Sequence, residues 1–180
     1  MTPTEHRVVA VFGGYRYEVG DSVYAMAEEI GRGIAEAGWV LLNGGYGGSM
    51  EASARGAKQA GGRVVGVTCD LFSRQPNHYV DEVVPAPDLW ARIRIMLERS
   101  DAYVALPGAT GTLAEVAMAW EMICKEFIAP RPLILLGRFW RPLYEMLIPR
   151  PDALAAAGGM VRHVVTPREA VDSLRTFWGK

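Results

Sequence analysis

Short uninterrupted apolar runs alternate along the chain with longer stretches in which apolar residues recur every third or fourth position. That is the pattern of buried parallel strands separated by amphipathic helices. The first run predicts a strand over 8–13. Val23, Met26, Ala27, Ile30, Ile34 and Ala35 then share one helical face, with Asp21 placed to cap the helix and Gly38 to end it near Ala37. A second strand is expected over 39–43, a second helix over 49–60 closed by Gly61 and Gly62, and a third strand over 63–68. The segment 69–87 holds Pro76, Pro85 and Pro87 and reads as irregular, apart from a short strand near Val83 and Val84. Asp88 predicts the cap of a third helix running to about Arg99. A fourth strand over 102–106, a fourth helix from Gly111 to about Phe127 and a fifth strand over 133–136 follow. The tail predicts a short helix over 142–147, an alanine-rich turn over 152–157, a strand over 161–165 and a last helix. The start of that last helix is marked by TPRE, Thr166 to Glu169, a capping box with proline at the first helical position.

Regular alternation of strand and helix predicts a Rossmann-like α/β fold, a doubly wound and mostly parallel sheet flanked by helices, in one nucleotide-binding domain over 1–180. The expected strand order is 3-2-1-4-5 with the tail strand beside the fifth. Strands one and four then meet at the topological switch point, and three glycine-rich loops converge there: GGYRYEVG from Gly13, NGGYGG from Asn43 and PGATGT from Pro107. Glycines also permit tight turns without any ligand. Their convergence makes Gly13, Gly14, Gly45, Gly47 and Gly48 candidates for ligand binding.

Composition narrows the classes. A chain of 180 residues, 50% apolar, can bury a sizeable core. A net charge of −1 gives no basic field for a nucleic-acid backbone, so that partner is not expected. Among the 19 lysines and arginines only Lys58, Lys125 and Lys180 are lysine, so any grip on phosphate leans on arginine. Cys69 and Cys124 lie far apart, with no CxxC pair, which fits a reducing compartment. No apolar run approaches the roughly 20 residues that span a bilayer, and a cytoplasmic protein with no membrane partner is expected. GxGxxG is absent, so no nicotinamide or flavin is expected, and GxxxxGK[ST] is absent too. His6, His78 and His163 have no ligand spacing, and no metal site is expected. None of the lysines falls in the crevice to form a Schiff base with pyridoxal.

PGATGTLAE carries the candidate chemistry. A strand, a glycine-rich turn and a helix start aim unpaired N–H groups and the positive end of the helix dipole at one spot. That spot suits a phosphate. Glu115, one turn into the helix, would be repelled by it unless it touched another part of the ligand, which suggests a sugar phosphate. Thr112 and Glu115 also fit a capping box. Leu113, Val116, Ala117, Trp120, Cys124 and Phe127 form an apolar stripe that Met118, Ala119 and Met122 widen. The surplus apolar surface suits either a second subunit or the C-terminal segment.

GGYGGSMEASARGAKQAGG from Gly44, the arginine-bearing helix that ends in SDAYVAL, and PGATGTLAE together resemble the Lonely Guy family, often labelled lysine decarboxylase-like, over residues 8–136. The resemblance implies a phosphoribohydrolase that splits a nucleoside 5′-monophosphate, a cytokinin nucleotide or AMP, into free base and ribose 5-phosphate, without cofactor. It implies a homodimer through the fourth helix, with Trp90 and Met96 as contributors. On the motif PGGxGTxxE it places the phosphate loop at Gly108, Thr110, Gly111 and Thr112, the close backbone approach at Gly47 and Gly48, and the catalytic glutamate at Glu115. On RKxxM it places the catalytic arginine at Arg92, which by spacing alone also suits an exposed ion pair with Asp88. Ala109 replaces the second motif glycine and Ile93 the lysine, and Leu89, Trp90 and Ala91 stand where Met, His and Glu are usual. In this the chain is similar to a divergent branch that includes molybdenum-cofactor carriers. A non-catalytic nucleotide or molybdopterin-type carrier is therefore the alternative expectation. Tyr15, Arg16 and Tyr17 are placed either to touch the ligand or to lie on the surface.

Overall fold

The computed structural model describes residues 6–150 and 159–179. Seven parallel strands form one sheet: β1 (Val8–Phe12), β2 (Val40–Asn43), β3 (Val64–Cys69), β4 (Glu82–Ala86), β5 (Ala102–Ala105), β6 (Leu133–Leu136) and β7 (Val161–Val164), in the order β4-β3-β2-β1-β5-β6-β7. The predicted order holds, with β4 added at the edge beside β3. The region read as largely irregular therefore contains a paired five-residue strand. Pro85 within it is compatible with an edge position, where one side of the strand needs no ladder bonds. The turn expected over 152–157 lies outside the described residues.

Helices α1 (Ser22–Glu36), α2 (Ser49–Gln59), α3 (Leu89–Glu98), α4 (Thr110–Cys124), α5 (Arg141–Leu147) and α6 (Pro167–Phe177) cover the sheet. Alternate residues of each strand face opposite layers. Val9 and Val11 pack with Ile30 and Ile34 of α1 and Leu174 of α6, while Ala10 and Phe12 pack with Met96 of α3 and Trp120 of α4. Two aspartates pin the register where strands begin. Asp81 Oδ2 accepts from Val64 N and Asp101 Oδ2 accepts from Val8 N, each at 2.8 Å.

The helix ends follow the expected chemistry with three corrections. Asp88 caps α3 through Ala91 N, and Thr166 and Glu169 form the capping box of α6. α1 and α2 both end in Schellman motifs, with Gly38 and Gly61 at positive φ. Asp21 stands at the N-cap of α1, but its carboxylate accepts from Glu18 N instead of a helix N–H. α4 starts earlier than predicted, at Thr110 after Ala109, so Thr112 is not its cap and no Thr112–Glu115 capping box forms. α4 also stops short of Phe127: Glu126 takes φ 55° and Phe127 N donates to Met122 O, a Schellman ending without glycine.

α1 and α2 touch backbone to backbone. A Cβ on Gly31 would overlap the Ser53 carbonyl, and one on Gly56 would overlap the Glu28 carbonyl. This notch sets α2, and with it the loop before α2, against the carboxyl edge of the sheet.

Candidate functional site

A cavity of about 440 Å³ opens at the carboxyl ends of β1, β2 and β5, within the range of small-molecule sites. The three glycine-rich loops do converge there. Gly13, Gly14 and Tyr15 come from the first, Gly44 and Tyr46 from the second, and Ala109, Thr110, Gly111 and Thr112 from the third. Arg92 of α3 and Glu115 of α4 reach the same space from the helices below it. The loops are stitched together by polar bonds. Ser49 N and Oγ both donate to Gly14 O at 2.9 Å, and the fully buried Asn43 side chain accepts from Gly45 N and donates to Met50 O.

The start of α4 has the geometry of a cradle that suits an anion. Its first intrahelical bond runs from Leu113 N to Ala109 O, leaving the N–H groups of Thr110, Gly111 and Thr112 without a helical acceptor. Ala109 is extended, at φ −101°, so its Cβ in place of the motif glycine is accommodated without strain. Gly108 sits behind the cradle, where a Cβ would overlap Thr112 Oγ1. Gly45, Gly47 and Gly48 also stand outside the cavity wall. Gly48, at φ 68°, lies so close to the Tyr15 backbone that a side chain would overlap it, whereas Gly47 has no such close neighbour.

Arg92 and Glu115 form a buried pair, each 7% exposed, with Nη1 3.6 Å from Oε1. This replaces the exposed Asp88 pairing: Asp88 is occupied as a helix cap. Arg92 Nε donates to Val67 O at 2.8 Å, its guanidinium lies 5.8 Å from the Tyr46 ring, and Nη2 rests against Met50 Sδ. A Cβ on Gly44 would occupy the place of Nη2, so that glycine gives the guanidinium its channel. Burial raises the Glu115 carboxyl from its ordinary 4.5 to about 7, against the opposing pull of Arg92. A carboxyl that titrates near neutrality can act in either protonation state.

Sequence reasoning missed Met50, Leu89 and Arg74 as wall residues, placed Gly44 and Tyr46 only within a converging loop, and gave Met96 to the surface. Met96 is 1% exposed and faces the cavity. Leu89, Arg92 and Met96 fall at helical spacing on one face of α3, a signal that was available. From the segment 69–87 that reads as irregular, Leu71, Phe72, Ser73 and Arg74 reach the wall. Tyr15 lines the mouth, Arg16 Nε donates to Tyr15 Oη, and Tyr17 packs on the core. Among the described residues no group of three or more His, Cys, Asp or Glu side chains is placed to hold a metal.

The family model of the SLOG cluster4 family matches residues 6–138. A cytokinin riboside 5′-monophosphate phosphoribohydrolase from Mycobacterium tuberculosis is 40% identical over 98 residues, 53% of this chain and 52% of that protein. The match thus spans about half the length of that relative. One of the same name from Rhodococcoides fascians is 34% identical over 147 residues, 77% of this chain and 73% of that protein. Among solved structures, the molybdenum cofactor carrier protein of Chlamydomonas reinhardtii aligns with a TM-score of 0.75 at 28% identity, over 97% of this chain and 99% of that one.

Proposed function

The chain belongs to the SLOG cluster4 family, and from that premise we propose that it hydrolyses the N-glycosidic bond of nucleoside 5′-monophosphates of the AMP or cytokinin type. The observation that carries this reading is the buried Arg92–Glu115 pair beside the anion cradle of α4. The 5′-phosphate sits on the N–H groups of Thr110, Gly111 and Thr112, and the ribose lies over Glu115. As the base departs the sugar becomes cation-like, and the Glu115 carboxylate stabilises that charge and orients water. The hydroxyl of the water joins C1′ and its proton leaves with the base. Arg92, always charged, is a poor proton source. It positions Glu115 and keeps it partly ionised. Chromatography of a panel of nucleoside 5′-monophosphates after incubation tests the reading, with free base expected from at least one member.

A second reading, a non-catalytic carrier of a nucleotide or molybdopterin-type cofactor, is supported by the nearly full-length likeness to the Chlamydomonas carrier. Release of no base from any nucleotide favours it.

A homodimer belongs to the same proposal. Among the described residues Trp90 and Phe127 are 74% and 72% exposed, and with Met118, Met122 and Ile128 they line a groove between α3 and α4. α5 shares the other flank of α4, where Leu143 and Leu147 line a groove with Leu113 and Ala117. Sedimentation at micromolar concentration is expected to show a dimer that Trp90→Glu dissociates; a wild-type monomer removes the proposal. A cytoplasmic home is supported by the wide separation of Cys69 and Cys124 along the sequence, with no CxxC pair. Among the described residues no helix is long and apolar enough to cross a membrane.

A further inference from the structure

A phosphate monoester carries a charge of about −1.5 to −2 at pH 7, while a helix N-terminus offers roughly +0.5. The cradle of α4 therefore leaves more than one negative charge to be balanced. Two arginines line the cavity, Arg74 and Arg92. Arg92 is committed to Val67 O, Glu115 and the channel beside Gly44. Arg74 is exposed, its guanidinium lies 4.4 Å from the centroid of the Tyr15 ring, and no carboxylate among the described residues pairs with it.

Resting on the phosphate-binding reading above, we propose that Arg74 is a movable phosphate ligand: it is held on the face of Tyr15 and passes onto a monoester at the start of α4 as the segment 71–76 closes over the cavity.

Four observations support the movement. Tyr15 stands beside the cradle, since a Cβ on its neighbour Gly14 would lie 3.5 Å from Gly108 Cα. The segment is fastened at its two ends, by Asp70 N to Ala86 O and by the Asn77 backbone and side chain to Gly45 O and Tyr46 O. Between those ends the backbone bonds are local, Phe72 N to Cys69 O and Arg74 N to Phe72 O. Leu71 and Phe72, 70% and 42% exposed at the mouth, lose water-facing apolar surface on closure, which offsets the ordering of the segment. Arg16 stays behind to hold the phenol, to which its Nε donates at 2.9 Å.

The test is calorimetric binding of AMP and of adenosine to the wild type, Arg74→Ala and Arg74→Lys. Arg74→Ala is expected to weaken AMP roughly 10- to 100-fold and to leave adenosine binding and the melting temperature unchanged. Arg74→Lys recovers part of the loss, and AMP binding to Arg74→Ala depends less on salt. Unchanged AMP affinity, or parallel weakening of AMP and adenosine, overturns the inference. Base release without any Arg74 effect sinks it alone; an Arg74 effect on AMP binding without base release sinks the hydrolase reading alone. A wild type that binds no AMP at millimolar concentration overturns both.

Discussion

Exchanging Glu115 for glutamine is expected to slow base release from nucleoside monophosphates by roughly 10²- to 10⁴-fold, with AMP still bound within a few-fold of wild type. The amide keeps the shape and the packing against Arg92 but brings no negative charge to the sugar. The pH dependence follows from the raised carboxyl. With the carboxylate as the working form, kcat/KM is expected to rise as pH passes about 7, where Glu115 loses its proton. Stability moves the other way. The native state binds this proton more tightly than the unfolded chain, for which 4.5 applies, so the contribution is complete below 4.5 and is lost as pH rises through about 7. The loss amounts to about 3 kcal/mol. Urea unfolding of wild type and Glu115→Gln at pH 5 and pH 8.5 isolates it, because other titrating groups cancel in the difference. Unaltered base release by the glutamine variant would remove Glu115 from the chemistry, and a stability difference independent of pH would remove its raised carboxyl.

Gly56→Ala is expected to lower stability by about 2 kcal/mol, even though alanine is the better helix former by about 1 kcal/mol. The added methyl meets the carbonyl of Glu28 on α1 and the Arg32 backbone beyond it. Backbone cannot swing aside as a side-chain tip can, and overpacking of this kind costs about 1–3 kcal/mol or more. For a chain of this size the melting temperature falls by about 4–8 °C. Gly31→Ala, which meets Ser53 from the other side of the notch, behaves alike. A rise in melting temperature for either variant would mean that helix propensity wins and that α1 and α2 separate easily.

The parts of the molecule legible in the sequence are those fixed by neighbours a few residues apart. The runs that became β1, β5 and β6 announce themselves, and so do Asp88, Gly38 and the Thr166 capping box, whose partners lie within one turn. Thr112 misled because a cap needs the backbone to leave the helix at the right residue, which residue type alone does not set, whereas Asp21 stands at the N-cap but turns its carboxylate to Glu18 N. The site was half legible. Three loops at one switch point follow from strand order, but the pairing of Arg92 with Glu115 joins residues 23 positions apart through two packed helices. Gly44 matters only because a guanidinium from α3 passes over it, and Arg74 only because its loop folds back to Tyr15.

The central position of β1 has a consequence for synthesis. Its partner β2 follows soon after it, but the bond that closes its other side, Asp101 Oδ2 to Val8 N, spans 93 residues. At about 5–20 residues per second a ribosome needs about 5–20 s to deliver that stretch. For those seconds the nascent first half presents an apolar strand with an open edge, a template for pairing with another chain. The interval of greatest aggregation risk therefore falls during translation, before the second half of the sheet has emerged.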